Sequence, residues 1–358
     1  MSRTVVVAGG GTGGHIFPGL AVARELQALG ARAHWLGAKK GLEAELVGQR
    51  GVPLTLVDLE GFHGRGAVAV LRALGLMPHA VATSIRTLLR IEPSAMLGVG
   101  GYASGAGLMA AGLLGIPYVL QEQNSVPGLT NRFLAPWSAL VCCGFADAVR
   151  AFPSLPAEWT GNPVRESFFK VPPVEPTAQP RLLILGGSQG SLFLNRTLPR
   201  AVAILHERGS TPQVRHQAGV RWADVVRTSY QDLAVGAEVA AFLSEPWTAL
   251  GEADLVVARS GALTVAELAA AGRGAVLIPF AAAAGGHQLH NARSLERAGG
   301  AVVLTEAEAS PERVADVLEQ LLVDPDRLRA MGGCARGVSL PDAARRIAER
   351  VLAVGSGQ

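Results

Sequence analysis

Cysteine, lysine, charge and long hydrophobic runs are all scarce in this chain, and each shortage excludes something. The three cysteines, Cys142, Cys143 and Cys334, cannot build a disulfide framework. Two of them are adjacent, and with no second Cys-x-x-Cys pair they cannot hold zinc. They read as small buried hydrophobes of a reducing compartment. Charged residues make up 17% of the 358 residues against 49% hydrophobic, a balance that excludes disorder. Three lysines (Lys39, Lys40, Lys170) stand beside 29 arginines, and 29 acidic residues reduce the formal net charge to +3. That excess does not argue for nucleic acid as a partner; an arginine-, alanine- and glycine-rich chain reflects genome composition. The apolar run Val5 to Ala8 is too short for a secretory signal and stops at three glycines. No charge lies between Glu92 and Glu122, which is long enough for a membrane span, but seven glycines and two prolines interrupt it. It reads as strand (Ala95 to Val99), helix (Ser104 to Leu114) and strand (Tyr118 to Gln121).

Short apolar runs alternate with longer helical patterns throughout. Val5 to Ala8 precedes a helix from about Pro18 to Leu29, and Ala33 to Leu36 is a second strand. Such alternation predicts parallel sheets with helices on both faces. The pattern breaks once, where Pro163, Pro172, Pro173, Pro176 and Pro180 mark a linker. It restarts with strand Arg181 to Leu185 and a helix through Asn195 to Arg208, then strands at Val239 to Phe242, Leu255 to Ala258 and Ala275 to Ile278. The expected architecture is α/β: two doubly wound Rossmann-like domains, 1–162 and 181–340, joined by 163–180 and facing each other across a cleft. A final helix from about Pro341 to Val351 follows Gly332, Gly333 and Gly337, a break that would let it return to the first domain.

Three glycine turns each follow a strand: Gly9 to Gly14 with His15, Gly100 to Gly105, and Gly186 to Gly190. Glycine lets the backbone approach a ligand closely, and the next helix presents unpaired N–H groups to an anion. One such turn is weak evidence; three point to a phosphate-bearing ligand. Gly9, Gly11 and Gly14 also fit the dinucleotide pattern, but no acid ends the second strand to hold a ribose, and no turn ends in the Lys-Ser/Thr of a P-loop. In the second half, Arg259 to Glu267 follows a strand and opens a helix that Ser260 could cap. Glu267 lies about one turn in, where a carboxylate can accept hydrogen bonds from both ribose hydroxyls. The alternative is a capping-box glutamate. A nucleotide diphosphate sugar would use both the helix start and the acid.

At this point the sequence resembles the bacterial family that transfers N-acetylglucosamine from UDP-GlcNAc to undecaprenyl-pyrophosphoryl-MurNAc-pentapeptide. Matching stretches are Gly10 to Pro18, Gly100 to Gly105, Glu122-Gln123-Asn124, Gly161 to Arg165, Gly186 to Gly190 with Asn195, Arg259 to Glu267, and Gln288 with Asn291. They span nearly the whole chain. The resemblance implies a GT-B glycosyltransferase with the nucleotide mainly on the second domain. Arg165 and the backbone of Leu243 would contact uracil; Ser188 and the helix opening at Ala262-Leu263-Thr264 would hold the diphosphate; Glu267 would hold the ribose. Gln288 and Asn124 would read the sugar hydroxyls. Thr12, Gly13, Gly14 and His15 would meet donor sugar and acceptor, with Tyr102, Glu122 and Asn195 nearby. Two departures stand out: Ala281 to Gly286 precede His287 where the family often has a polar or acidic residue before the Gln288 position, and Ala106 replaces a common proline.

Turning an α-linked donor into a β-1,4 product inverts configuration, so a single displacement needs only a base and charge stabilisation for UDP. His15 is the candidate base, or else a donor that positions substrate; Glu122 is its rival, or else orients Asn124. Asp324-Pro325-Asp326 resembles a metal-binding Asp-x-Asp but reads as a helix start, and no tightly bound metal is expected. Between Glu60 and Glu92 no acid occurs, while Arg65, Arg72, Arg86 and Arg90 interleave with Val68, Leu71, Leu74, Met77 and Leu89. This segment suits reversible attachment to an anionic membrane surface, which a lipid-linked acceptor requires. The family further implies the cytoplasmic face of the plasma membrane, roles in peptidoglycan synthesis, cell shape and division, and other cell-wall synthesis proteins as partners. A diacylglycerol glycosyltransferase and a UDP-sugar epimerase are the alternatives within the fold, and a non-catalytic UDP-sugar binding protein the one outside enzymes.

Overall fold

Val5, Val6 and Val7 have no exposed surface, and neither have Leu255, Val256 and Val257. Strands buried on both faces need continuous apolar runs rather than alternation, which is why the parallel sheets were legible. The structure, a computed structural model, describes residues 3–10, 13–39, 43–48, 50–57, 67–175, 177, 179–187 and 189–357, without the side chains of 13, 67–74, 102, 103 and 284.

The first sheet contains β1 (Thr4–Ala8), β2 (Arg32–Ala38), β3 (Leu54–Val57), β4 (Ala95–Gly98), β5 (Tyr118–Glu122), β6 (Leu140–Cys143) and β7 (Ala157–Trp159). Its order is β3-β2-β1-β4-β5-β6-β7, all parallel. The second contains β8 (Arg181–Leu185), β9 (Gln213–Gln217), β10 (Ala237–Ala240), β11 (Leu255–Ala258), β12 (Ala275–Leu277) and β13 (Ala301–Val303). Its order is β10-β9-β8-β11-β12-β13, again parallel. Strand order therefore reverses between β1 and β4 in one sheet and between β8 and β11 in the other. Open α/β sheets bind ligands at the carboxyl ends of the strands beside such a reversal.

Two compact units result, residues 1–164 with 340–358, and residues 165–339. The final helix, Ala343–Val354, belongs to the first unit, where Ile347, Ala348 and Val351 join the core formed by Val5, Val7 and Ile16. Residues 163–180 include a short helix, Glu166–Phe169.

Several boundaries differ from those read in the sequence. The first helix starts at Gly13, not near Pro18, and carries that proline inside it. Gly332, Gly333 and Gly337 do not break the chain; they lie within the helix Pro325–Gly337. The reason is close packing: a Cβ on Gly332 would sit 2.5 Å from the Gly272 carbonyl oxygen, so glycine lets this helix approach the left-handed turn at Gly272. Cys142 and Cys143 are buried, and burial pushes the Cys143 thiol up to about 12, but Cys334 is exposed, against expectation. The uncharged stretch forms β4, the helix Tyr102–Leu113 and β5. Among the described residues no helix is long and apolar enough to cross a membrane.

Candidate active site

Each unit gathers its glycine turns at its reversal point. In the first, the turns after β1 and β4 abut: Gly101 has φ +80, and a Cβ there would lie 2.3 Å from the Gly10 carbonyl oxygen. Only glycine satisfies both demands. The buried Trp35 ring holds the same loop from below, its Nε1–H donating to the Gly9 carbonyl at 3.1 Å. The helix Gly13–Ala28 starts here, which places Gly13 and Gly14 at its N-terminus and His15 in its first turn. His15 Nδ1 lies 3.2 Å from Gln123 Oε1. Thr12 falls outside the described residues, as does the side chain of Tyr102.

Glu122, the last residue of β5, is 2% exposed and its carboxylate is fully engaged. Oε1 accepts from the Asn124 amide N–H at 2.8 Å and from Asn124 Nδ2 at 3.3 Å. Oε2 accepts from Gly128 N–H at 3.0 Å and Asn131 Nδ2 at 2.8 Å. This geometry matches the orienting role for Asn124; a carboxylate with four donors has little capacity left to take a substrate proton.

In the second unit the helix Ala262–Ala271 begins at the reversal point behind Gly261, which caps it with no side chain. Ser260 does not cap it, a correction; its Oγ donates to the Gln288 carbonyl at 2.8 Å instead. The first amides, of Ala262, Leu263 and Thr264, thus meet no capping side chain and suit an anion. Glu267 is the sixth residue of this helix, three beyond the capping-box position, so the capping-box alternative also falls. It is half-buried, and burial pushes its carboxyl up to about 7, opposed by the nearby Arg165 guanidinium. Arg165 itself stacks 4.4 Å over the Trp247 ring and 5.3 Å over Phe168. Leu243 lies in the loop after β10, half-buried.

The helix His287–Arg297 is tied to the same loop, since Asn291 Nδ2 donates to the Ser260 carbonyl at 3.2 Å. Gln288 Oε1 accepts from Phe280 N–H at 2.9 Å, which occupies its oxygen and leaves the NH2 as the group it can offer to a partner. Arg259 braces the region: it donates to Ser191 Oγ at 2.8 Å, to the Ile278 carbonyl at 3.0 Å and to Glu306 at 2.5 Å. Ser188 falls outside the described residues. Asn195 is 5% exposed, and its side chain serves the fold: Nδ2 donates to the Ala218 carbonyl at 3.0 Å and Oδ1 accepts from His216 Nε2 at 3.1 Å. His216 also meets Tyr230 Oη at 3.1 Å, and burial pulls its imidazole down to about 3. Asp324 accepts from Arg327 N–H at 2.9 Å and caps its helix, while Asp326 pairs with Arg329 at 2.6 Å.

Sequence reasoning missed Gln123 under His15, Trp247 under Arg165, and His216 behind Asn195. It also missed an apolar face on the first unit formed by Leu129, Phe133 and Trp137, which are 84%, 62% and 64% exposed. Their spacing of four was the available signal. Phe133 and Trp137 meet edge to face at 5.6 Å. The helix Leu129–Leu134 packs on Tyr102–Leu113, which packs on the long helix Ala67–Ile91. Arg86, Leu89, Arg90 and Arg132 are exposed on the same unit.

Two parallel Rossmann-like units, each with glycine turns at its reversal point, have the architecture of GT-B glycosyltransferases, and the family matches give the class. Residues 5–142 match the glycosyltransferase family 28 N-terminal domain and residues 181–347 the family 28 C-terminal domain. A UDP-N-acetylglucosamine–N-acetylmuramyl-(pentapeptide) pyrophosphoryl-undecaprenol N-acetylglucosamine transferase of Stutzerimonas stutzeri is 41% identical, covering 100% of both chains. The crystal structure of Acinetobacter baumannii MurG is 30% identical with a TM-score of 0.80, covering 98% of this chain and 99% of its own. The chain belongs to this family of N-acetylglucosamine transferases within glycosyltransferase family 28. A UDP-N-acetylglucosamine 2-epimerase has a TM-score of 0.69 at 14% identity, covering 100% of this chain and 97% of its own, which is a likeness of fold alone.

Proposed function

We propose that this protein transfers N-acetylglucosamine from UDP-GlcNAc to the C4 hydroxyl of MurNAc in undecaprenyl-pyrophosphoryl-MurNAc-pentapeptide, with inversion. The observation that carries the reading is the 41% identity over the whole chain, joined to a constellation at the second reversal point that suits a UDP-sugar. There the amides of Ala262, Leu263 and Thr264 take the diphosphate, Glu267 takes the ribose diol, and Arg165 with the Leu243 backbone meets uracil. Gln288 and Asn124 read the sugar. His15 accepts the proton of the attacking hydroxyl, and Glu122 holds Asn124 in place rather than acting as base. Departing UDP gathers negative charge, which helix-start amides stabilise without reorganising, so the reading requires no tightly bound metal. Neither diacylglycerol transfer nor epimerisation is favoured by the relatives. Labelled UDP-GlcNAc offered with either a MurNAc-pyrophosphoryl-polyprenol or diacylglycerol is expected to label the first. Label in diacylglycerol, or free epimerised UDP-sugar, would overturn the reading.

A lipid-linked acceptor brings the protein to a membrane, and in this reading it acts peripherally at the cytoplasmic face. Leu129, Phe133 and Trp137 supply apolar area, and Arg86, Arg90 and Arg132 supply positive charge. Of the basic segment read in the sequence, Arg65 and the side chains of Val68, Leu71, Arg72 and Leu74 lie outside the described residues. Each exposed arginine contributes about 1 kcal/mol near an anionic surface, screened by salt. Sedimentation with phosphatidylglycerol vesicles should show binding that weakens as salt rises and weakens further in Trp137→Ala. Equal binding to neutral vesicles would remove the arginines from the explanation.

A further inference from the structure

Three side-chain amides lie buried behind His15 and form a closed ring. Gln121, Gln123 and Asn162 are 0%, 2% and 5% exposed. Gln123 Nε2 donates to the Val99 carbonyl at 2.8 Å and to Gln121 Oε1. Gln121 Nε2 donates to Asn162 Oδ1 at 3.1 Å, and Asn162 Nδ2 donates to the Gln123 carbonyl at 2.9 Å. An amide's orientation is ordinarily ambiguous, because its two ends look alike. Here two main-chain carbonyls settle it, since a carbonyl oxygen only accepts. Val99 O must face the NH2 of Gln123, and Gln123 O must face the NH2 of Asn162; Gln121 is then fixed between them. Both hydrogens of Gln123 Nε2 are spent, so the group it turns to His15 is an acceptor, Oε1, 3.2 Å from Nδ1. Gly100 confines the ring there: a Cβ on it would come within 3.0 Å of His15 Nδ1 and Cε1.

We infer that Gln123 is a positioning residue that fixes the tautomer of His15, placing the proton on Nδ1 and the lone pair of the neutral ring on Nε2. An oxygen that can only accept requires Nδ1–H, the reverse of the tautomer that free neutral imidazole favours. A neutral imidazole has one basic nitrogen, and which one is basic follows from the hydrogen bond made by the other. The buried ring therefore decides at which atom His15 takes a proton. Its consequence for transfer rests on the reading of His15 as the base.

The test uses the full chain labelled with 15N-histidine, with the His15 signals assigned by their loss in His15→Gln. Above its titration, His15 should show a pyrrole-type Nδ1 and a pyridine-type Nε2. Gln123→Met should move the ring towards Nε2–H and lower kcat about 10- to 100-fold, part of the roughly 10²–10⁴-fold a general base contributes, with KM for UDP-GlcNAc little changed. The switch of tautomer in the 15N spectrum is a readout that a merely structural role of Gln123 would not move. A pyrrole-type Nε2 in the unaltered protein overturns the inference without recourse to any variant. Loss of kcat in His15→Ala tests the base reading separately, and its failure would leave the tautomer assignment standing.

Discussion

Alanine at position 15 should lower kcat roughly 10²–10⁴-fold, the usual worth of a general base, while UDP affinity stays within about twofold. The separation follows from where the groups lie in the chain. The residues assigned to the nucleotide, Arg165, Leu243, the helix start at Ala262 and Glu267, all belong to residues 165–339. His15 belongs to the other unit, in the first turn of Gly13–Ala28, and in the proposed reading it serves the attacking hydroxyl rather than the nucleotide, so UDP affinity is expected to survive the loss of its imidazole. Inverting displacement has no covalent intermediate, and the attacking hydroxyl must lose its proton as the bond to the sugar forms. Steady-state kinetics at saturating donor, with calorimetric titration of UDP, make the measurement. A fall in UDP affinity with kcat preserved would make His15 a phosphate or sugar ligand. The base role would then pass to water or to Glu122, which would first have to give up one of its four hydrogen bonds.

What could be read in the sequence was local. Leu255–Ala258 is a strand with the bounds its apolar run implies, because a strand buried on both faces leaves no polar residue in its interior. The helix start at Asp324-Pro325-Asp326 is equally plain, with Asp324 capping it and proline in its first turn. The glycine turns were legible as turns because a strand, glycines and a helix occur in sequence. Their gathering at β1/β4 and β8/β11 depends on strand order, which periodicity does not encode. The failures share one cause. Gly332 looked like a breaker because its partner, Gly272, is sixty residues away in the chain. Ser260 looked like a cap, but the helix starts behind Gly261, and Ser260 Oγ instead donates to the Gln288 carbonyl of another helix. Gln123 and Asn195 are held by Asn162 and His216, distant in the chain, and no single-chain pattern announces a buried hydrogen-bond network; of the two readings of Glu122, its bonds to Asn124 favour the orienting one.

Glu267 carries the second large effect, and its sign depends on pH. Removing the carboxylate in Glu267→Ala leaves two ribose hydroxyls without their acceptor, a loss of about 1–3 kcal/mol, or roughly 5- to 150-fold in UDP affinity. Burial holds this carboxyl at about 7 in the free protein, so below that pH most of it is protonated. A carboxylate accepts from both ribose hydroxyls, whereas the acid has one acceptor oxygen and a proton in the way; binding therefore favours the charged form and releases a proton. UDP affinity should rise with pH through about 7 and level off above it, and Glu267→Gln should flatten the curve. Stability of the empty protein should move the other way. With its folded value raised from 4.5 to about 7, Glu267 binds more protons folded than unfolded, so its contribution is full below pH 4.5 and is lost as pH rises through 7. His216 opposes it, because a value depressed from 6.5 to about 3 makes stability rise with pH across that interval. Denaturant titrations of the protein against Glu267→Gln isolate the glutamate, and calorimetry in buffers of different ionisation heat counts the proton released. Unchanged UDP affinity in Glu267→Ala, or no proton release at pH 6.5, would sink the assignment of Glu267 to the ribose.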